Sequence, residues 1–564
     1  MINIGEQLSR ALKLTLERLD TETPSNGNPG PLPEAAFRWE MPKDPTFGDL
    51  ASSLAFKVAA RRRQPPQRIA EEFAHAFPST CQEQGLSVWV ERVEARAGFI
   101  NVYLSQRVLV EGLRQILRQR HRYGTCRVTS APSLNLEFVS ANPTGPLSVA
   151  HGRQAAVGDV LARLLRAQGV RVTTEFYLND EGRQIEMLGR SLLARYAELL
   201  GRPEPFPEDG YQGHYLIEQA EQLKQAHGDR LLQAPLEEFI RLGMEEQLQH
   251  IKQDLERFGL RFDRWTSQQW LRTTGRIDAA LGTLRERGVL YDAEDATWFA
   301  STKFGGDKDR VIRKRDGELT YLAPDIAYHQ WKFSQGYGQI VNLWGPDHHG
   351  YIMRVKAAMA ALGLSAERLI VRIVQLVTLS RKGQVVPMSK RQGEFVTFRE
   401  ILDEVGVDAT RFFFLMRTME SHLDFDLELA KSQSQENPVY YIQYAHARIC
   451  SIVAKARLPW WARLRPPLEL LTEPEERLLL RVLCQYPIVL RLCAAALEPN
   501  GVTTYLRKLA ETFHVFYTKH RVIQDDRRLS SARVALVQGT RHVLANGLGL
   551  LGVTAPLHMR RTDV

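Results

Sequence analysis

A loop rich in glycine and proline, followed by the start of a helix, is the first pattern that could do chemistry. The segment from Leu134 to Arg166 reads as a short alternating strand, a loop at 140–147 and a helix with apolar residues three and four positions apart. A helix N-terminus presents free N–H groups and the positive end of the helix dipole, which together bind anions. His151 lies in the first turn and can reach the same anion. The pattern indicates a phosphate site, although such loops also occur in α/β proteins that bind no phosphate.

A second short motif lies far downstream, in a loop between a strand-like segment at 371–379 and a helix-like segment at 395–406. It reads Pro387-Met388-Ser389-Lys390-Arg391. A lysine in a loop can bring its charge to an anion, and the serine hydroxyl beside it can add a hydrogen bond. The two motifs together favour a phosphorylated ligand more strongly than either motif alone.

The pair of motifs, SVAH at 148–151 and PMSK at 387–390, resembles the HIGH and KMSK pair of class I aminoacyl-tRNA synthetases. Further segments are similar to arginyl-tRNA synthetases of the bacterial type, in the family's order and over nearly the whole chain: EFVSANPTGPLSVAHGRQAAVGD, YLNDEGRQI, FGGDKDRVI, TYLAPDIAYH, LWGPDHHGY, MSKRQGEFVTF and NPVYYIQYAHARICSI. Each segment alone is a weak signal. All of them in register are highly specific.

The resemblance implies an ATP-dependent arginine–tRNA ligase, which makes arginyl-adenylate and transfers arginine to the 3′ end of tRNA(Arg), releasing AMP and pyrophosphate. Attack of a carboxylate on the α-phosphorus places extra negative charge on phosphate oxygens, so the site needs cations and N–H donors. Mg²⁺ bound with ATP would supply further charge. The implied catalytic residues are His151, Lys390, Ser389 and Ser148. The implied ATP-binding residues are Gly145, Pro146, His151, Gly152, Asp347, His348, Met388 and Lys390.

The sequence departs from the family pattern at two positions. Ser148 stands where HIGH has its first histidine, and Pro387 stands where KMSK has its first lysine. Lys390, the lysine that the resemblance associates with pyrophosphate, is present. Two alternatives therefore stay open: a paralogue that binds tRNA but has lost its active site, and an adenylyltransferase that acts on a small substrate without RNA.

Recognition of arginine requires a partner for a planar cation with several N–H donors. A carboxylate can bind a guanidinium through two parallel charge-assisted bonds, which an ammonium cannot match. The segment 321–329 reads as a helix, so Tyr321 and Asp325 would share one face. The resemblance assigns both residues to the arginine pocket, together with Glu137 and Asn142.

Composition is that of a soluble globular protein, with 44% hydrophobic and 25% charged residues among 564. No uninterrupted apolar run approaches about 18 residues and residues 1–16 lack a signal-peptide core, so we expect a cytoplasmic protein without a membrane. A net charge of +9 favours a polyanionic partner such as tRNA. The five cysteines form no CxxC pair, and Asp347-His348-His349 has no third ligand at metal-like spacing, so no metal site is expected. The resemblance implies a monomer.

Three domains are expected. Residues 1–125 read as a small α+β domain, which in the family contacts tRNA. Residues 126–404 alternate strands and helices, as in a Rossmann-like parallel sheet, with a helical insertion at about 183–260. Residues 405–564 show helical spacing without strand signals, which predicts an all-α bundle. In the family this bundle binds the anticodon, and the residues expected to contact tRNA are Tyr440, Tyr444, His446 and Arg448.

Lys390 provides the first test. Lys390→Ala should lower the rate of arginine activation by about 100-fold or more, because one contact to transition-state charge is lost, while arginine binding changes little. Pre-steady-state formation of the adenylate measures this rate. A mutant that activates arginine at the parent's rate would contradict the assignment.

Overall fold

The computed structural model describes residues 4–22, 32–40, 42, 47–126, 132–386, 396–457 and 465–559. The downstream motif that contains Met388, Ser389 and Lys390 lies outside the described residues.

The strands follow one another along the chain as β1 (Leu50–Ser52), β2 (Val90–Arg96), β3 (Phe99–Leu104), β4 (Ser133–Glu137), β5 (Arg171–Leu178), β6 (Arg264–Ser267), β7 (Leu290–Ala293), β8 (Ala296–Phe299), β9 (Arg310–Arg313), β10 (Gln339–Trp344), β11 (Leu369–Ile373), β12 (Val377–Arg381), β13 (Gln384–Val385) and β14 (Leu423–Asp426).

The helices up to the end of the catalytic region are α1 (Ile4–Glu22), α2 (Leu54–Arg62), α3 (Pro66–Glu83), α4 (Gln106–Gln119), α5 (Val149–Ala167), α6 (Arg183–Leu199), α7 (His214–His227), α8 (Leu236–Arg257), α9 (Gln268–Thr273), α10 (Arg276–Glu286), α11 (Leu322–Ser334), α12 (Ile352–Ala361), α13 (Phe398–Val405), α14 (Val407–Phe414) and α15 (Leu427–Lys431). The C-terminal helices are α16 (Pro438–Lys455), α17 (Pro474–Ala496), α18 (Asn500–Lys519) and α19 (Arg527–Leu551).

The N-terminal region is a small α+β unit. Strands β2 and β3 form an antiparallel pair, and the short strand β1 joins them in the antiparallel order β1-β3-β2. Helices α1, α2 and α3 cover the sheet and bury Leu12, Phe73 and Phe77 against it. Helix α2 begins at Leu54, because the residues just before it pair as β1.

The central sheet is parallel throughout, with the strand order β11-β10-β4-β5-β6. This confirms the Rossmann-like fold predicted from the sequence. The chain builds outward from β4 in one direction through β5 and β6, and in the other direction through β10 and β11. The order therefore reverses between β4 and β10. In parallel sheets of this kind, ligands bind beyond the carboxyl ends of the strands at such a reversal.

The helical insertion is confirmed. Helices α6, α7 and α8 lie between β5 and β6 in the chain, and they enclose a separate small core around Leu188, Tyr196 and Phe239. The insertion thus adds helices beside the sheet without adding a strand to it.

Several short strands were not predicted. The segment 371–379, expected to be one strand, is two: β11 belongs to the central sheet, while β12 belongs to another. Strand β14 lies in the region expected to lack strands and pairs parallel with β12. The hairpin strands β7, β8 and β9 form a further small sheet. Four- and five-residue strands are too short for a period-two pattern to stand out from chance.

The C-terminal bundle buries long apolar faces of α16 to α19. Helix α17 is long and apolar enough, by length and composition, to span a membrane. In the fold its residues Leu479, Leu483 and Leu490 are buried in the main core, and a core helix of a bundle has the same composition. The bundle also packs on α4 and α5, so it is joined to both preceding regions.

A buried arginine fastens these regions together. The Arg411 guanidinium on α14 donates to the carbonyl oxygens of Phe258 (2.7 Å) and Leu551 (2.8 Å) and forms an ion pair with Asp159 of α5. Its side chain is 0% exposed. The contact joins the end of the insertion, the last helix of the bundle and the central helix α5.

Removing this guanidinium should be costly. Arg411→Met should lower the free energy of unfolding by about 3–5 kcal/mol. The buried carboxylate of Asp159 and the carbonyl groups of Phe258 and Leu551 would each lose a hydrogen-bond partner. Arg163→Met is the matched control, since Arg163 also bonds Asp159 (2.9 Å) but is partly exposed and should cost about 1 kcal/mol or less. Urea unfolding measures both. Equal destabilisation by the two substitutions would contradict the role given to Arg411.

Candidate active site

A cleft opens where the strand order reverses, beyond the carboxyl ends of β4 and β10. It consists of two adjoining cavities of about 590 Å³ and about 740 Å³. Both are lined by Asn142, His151 and Asp347, so they form one continuous space. The larger cavity has the insertion residues 208–213 and Tyr215 as its far wall. Volumes of this order suit small organic ligands.

The start of α5 forms the floor shared by both cavities. Ser148 is the N-cap residue, and its backbone N–H donates to His151 Nδ1 at 3.1 Å. The Ser148 side chain in turn accepts from the backbone N–H of His151, which completes a capping box. The Ser148 hydroxyl also lies 3.1 Å from His151 Nδ1. Because Nδ1 accepts a hydrogen bond, neutral His151 carries its proton on Nε2. Ser148 therefore has a defined structural task at the position where the family pattern has histidine.

The glycines of this region have different tasks. Gly145 lines the larger cavity, and a Cβ there would lie 2.9 Å from Tyr215 Oη. Gly152 faces the rings of Phe398 and Phe414 instead, since its Cβ would lie 2.4 Å from Phe398. Gly152 does not line either cavity, so its expected contact with ATP has no support in this geometry, and its small size serves helix packing. Pro146 lines the larger cavity as expected.

A carboxyl group faces the smaller cavity from α11. Asp325 is partly buried, and its Oδ2 accepts a hydrogen bond from Tyr351 Oη at 2.6 Å. Burial raises the pKa of Asp325 to about 7, the Tyr351 bond opposes the rise, and the nearby Glu137 charge adds to it. Among the described residues no lysine or arginine forms an ion pair with Asp325. The cavity thus contains a carboxyl group whose charge has no resident partner.

Two more predicted residues share this cavity with Asp325. Tyr321 lines it but is the N-cap of α11, not part of the helix, and is 65% exposed. Asn142 lines both cavities, and its amide donates to Gln184 Oε1 at 2.6 Å. The residues expected to bind arginine are therefore brought together around one space.

Glu137, the fourth of them, ends β4 and lines the same cavity. One of its oxygens accepts a hydrogen bond from Lys332 Nζ at 2.8 Å, and the other accepts one from Ser140 Oγ at 3.1 Å. Lys332 and Glu137 are both buried. Unlike Asp325, Glu137 already has a cation beside it.

The residues after β10 form the opposite wall. The segment Pro346–Tyr351 is a 3-10 turn, in which Asp347 lines both cavities and His348 lines the smaller one. Within the described parts of the chain, no group of three His, Cys, Asp or Glu side chains could hold a metal ion.

The sequence did not reveal several wall residues. Tyr177 and Tyr328 stack with ring centroids 4.3 Å apart and line the smaller cavity, and Tyr351 bonds Asp325. Tyr177 and Tyr351 lie in segments that carried the family resemblance, because YLNDEGRQI begins with Tyr177 and LWGPDHHGY ends with Tyr351. Their contacts cross from one element to another, so spacing along the chain could not show them.

The face of α16 presents an aromatic row. The rings of Tyr440 and Tyr444 stack with centroids 6.3 Å apart, and Tyr444 also stacks on His514 of α18 at 6.3 Å. Arg448, exposed, continues the row and donates to Tyr517 Oη at 2.8 Å. Partly exposed stacked rings beside an arginine suit unpaired bases.

His446 does not belong to this row, and the prediction that it contacts tRNA is corrected. Its side chain is 3% exposed, and Nδ1 bonds the carbonyl oxygen of Pro556 at 2.9 Å. Burial lowers its pKa, so the ring is a neutral part of the bundle core. On a helix, residues 440, 444 and 448 share a face, whereas 446 points to another.

Family sequence models match three parts of the chain. Residues 4–104 match the arginyl tRNA synthetase N terminal domain, residues 112–420 match the catalytic domain of tRNA synthetases class I (R), and residues 442–559 match the DALR anticodon binding domain.

Similar proteins cover almost the full length. The arginine–tRNA ligase of Carboxydothermus hydrogenoformans is 44% identical over 536 residues, covering 93% of this chain and 95% of the relative. That of Geobacillus kaustophilus is 46% identical over 530 residues, covering 92% and 94%. The solved arginyl-tRNA synthetase of Thermus thermophilus has the same fold, with a TM-score of 0.78 at 23% identity over 99% of this chain and 100% of that chain.

Proposed function

This chain belongs to the class I arginyl-tRNA synthetases, and we propose that it activates arginine in the cleft beyond β4 and β10. The enzyme first makes arginyl-adenylate from L-arginine and ATP, which releases pyrophosphate. It then transfers arginine to the 3′ end of its tRNA, which releases AMP.

The observation that carries the assignment is the uncompensated Asp325 carboxyl group in the smaller cavity. A guanidinium can donate two parallel hydrogen bonds to such a carboxylate, and removal from water strengthens both. Tyr351 holds one oxygen of Asp325 in place from the side. The stacked pair Tyr177 and Tyr328 offers flat apolar surface for the guanidinium plane and the methylene chain. Tyr321 and Asn142, at the cavity mouth, would bind the α-amino and α-carboxyl end.

ATP would occupy the space above the start of α5, reaching into the larger cavity. The arginine carboxylate oxygen attacks the α-phosphorus, an O–P bond forms, and the bond to pyrophosphate breaks. His151 Nε2–H and the free N–H groups of α5 would donate to phosphate oxygens as their charge increases. Lys390 and Ser389 would contact the leaving pyrophosphate, with Met388 beside them. Mg²⁺ bound with ATP would neutralise part of the remaining charge.

The tRNA would lie along the α16 face, with bases stacked on Tyr440 and Tyr444 and a phosphate near Arg448. The match of residues 442–559 to an anticodon-binding domain supports this placement of the tRNA. We propose further that the enzyme acts as a monomer in the cytoplasm without a membrane, with domains bounded at about residues 125 and 405. Sedimentation of the purified protein tests whether it is a monomer.

Asp325→Asn tests the arginine site. The substitution keeps the size, removes the charge and turns an N–H donor toward a cation, so the KM for arginine should rise by about 100-fold or more. The KM for ATP should stay within about threefold, since ATP binds at α5. Arginine- and ATP-dependence of aminoacylation gives both constants. A joint rise of the two KM values would show that Asp325 does not face the guanidinium. Absence of arginine-dependent pyrophosphate exchange in the parent, both with and without tRNA, would favour a tRNA-binding paralogue.

The same residue predicts a pH dependence. Its pKa is raised to about 7 in the free enzyme, and arginine binds the ionised form, so arginine affinity should fall as pH drops below about 7, approaching tenfold per pH unit. Asp325→Asn has no such group and should bind arginine weakly with a flat profile. Equally steep profiles in the parent and the variant would contradict the assignment.

Point substitutions test the α16 face. Deleting the whole C-terminal region after residue 405 would be less specific, because it would also remove β14 and Arg411. Tyr444→Ala should raise the Kd for tRNA about tenfold, as the loss of one stacked base predicts. Arg448→Ala should also reduce the slope of log Kd against log salt by about one. Tyr291→Ala, at an exposed tyrosine of β7 away from this face, is the matched control. Filter binding at several salt concentrations measures all three, and parent-like binding by Tyr444→Ala would move the tRNA site elsewhere.

A further inference from the structure

A tyrosine of the helical insertion reaches the loop that precedes α5. Tyr215, in the first turn of α7, donates a hydrogen bond from its hydroxyl to the backbone carbonyl of Thr144 at 2.7 Å. Its ring also lines the larger cavity. Burial raises the pKa of the Tyr215 hydroxyl, so the group stays protonated and can donate. The roles proposed above give this residue no task.

Two glycines make room for the Tyr215 ring. A Cβ at Gly145 would lie 2.9 Å from Tyr215 Oη, and a Cβ at Gly213 would overlap Tyr215 Cε1. The φ of Gly213 is −60° and the φ of Gly145 is not positive, so the backbone conformation does not require glycine at either position. Both glycines therefore serve the close approach of the tyrosine to the loop.

The loop before α5 is held by groups from other elements. Pro143 and Pro146 have no backbone N–H and cannot donate a hydrogen bond. At the end of the loop, the carbonyl of Leu147 accepts from the first N–H of α13 at 2.7 Å. In the middle of the loop, the carbonyl of Thr144 accepts from Tyr215. The Tyr215 bond therefore ties the part of the loop that lines the larger cavity to the insertion.

The insertion core sets the position of the Tyr215 hydroxyl. The next residue, Leu216, is fully buried in that core with Leu188 and Leu192, and the Tyr215 ring packs partly buried against it. A hydroxyl placed by a packed core has a defined position, which it imposes on the carbonyl that it bonds.

We propose that Tyr215 is a positioning residue for ATP, because its bond holds the Thr144 backbone where Gly145 and Pro146 line the larger cavity. The inference rests on the proposed binding of ATP above the start of α5. Without the hydroxyl, the loop would occupy other positions as well, and ATP would have to order it on binding. The helical insertion thus raises the affinity for ATP by acting through the loop.

Tyr215→Phe removes the hydroxyl and keeps the ring. In aminoacylation by the full-length enzyme, the KM for ATP should rise about fivefold to tenfold, as the loss of one hydrogen bond predicts. The kcat and the KM for arginine should each stay within about twofold. Arginine binding is spared because Asn142, at the other end of the loop, has its own hydrogen bond to Gln184 Oε1 at 2.6 Å. A parent-like KM for ATP in Tyr215→Phe overturns the proposal.

Tyr196→Phe is the matched control within the insertion. The Tyr196 hydroxyl also donates to a backbone carbonyl, that of Gly228 at 2.6 Å, but Tyr196 lines neither cavity. This variant should lose thermal stability as Tyr215→Phe does and keep the parent's KM for ATP. An equal rise of that KM in both variants overturns the proposal, because the stability of the insertion and not the bond to the loop would then set ATP affinity.

Hydrogen exchange of the free enzyme shows whether the hydroxyl acts on the loop or on the nucleotide. Without ATP, a peptide spanning 139–148 should exchange faster in Tyr215→Phe than in the parent or in Tyr196→Phe, because the loop has lost a bond. Parent-like exchange of this peptide in Tyr215→Phe overturns the proposal, even if the KM for ATP rises, since the hydroxyl would then contact ATP directly.

His151→Ala separates this inference from the function on which it rests. If His151→Ala activates arginine at the parent's rate and with the parent's KM for ATP, ATP does not lie above α5 and both fail. If His151→Ala slows activation while Tyr215→Phe keeps the parent's KM for ATP, only the positioning role fails.

Discussion

Helix α5 fastens the central sheet, the end of the insertion and the C-terminal bundle to one another. Its Arg153 is fully buried and donates to the backbone carbonyls of Gln375 (2.8 Å), Thr418 (2.9 Å) and Ser421 (2.9 Å). Its Asp159 holds Arg411 and, through it, the insertion and the bundle. Two glycines let rings pack directly on its backbone. A helix N-terminus stabilises phosphate charge only if it does not move during the reaction, and these contacts hold it from three sides.

Charge in the smaller cavity is arranged around the same strand ends. Glu137 and Asn342 are neighbours in the sheet, and Lys332 joins them from α11. No cation of the described part of the chain forms an ion pair with Asp325, and burial raises the pKa of Asp325 to about 7. A buried carboxyl group without a partner cation is costly to ionise, so part of the affinity proposed for arginine would come from relieving that cost. The sites proposed for activation and for arginine specificity thus both lie at one sheet reversal.

Some of the site could be predicted from the chain and some could not, and the division has a physical cause. The loop before α5, the helix with Asp325 and the helices of the bundle are signalled by spacing within one element. The bonds Tyr351–Asp325 and Lys332–Glu137 join residues far apart in the chain, and no single-element pattern carries them. The error at His446 has the same origin, because which face of α16 is buried depends on what packs against it.

The sequence by itself determined the family, the parallel sheet with a helical insertion, and the residue types needed for activation, because local periodicity and ordered motifs are properties of the chain. Only the tertiary structure decided the short strands β11, β12 and β14, the packing task of Gly152, and the cation that faces Glu137. Strand pairing, close approach and burial are relations between distant residues. The charge a substrate meets is therefore set by neighbours that only folding brings together.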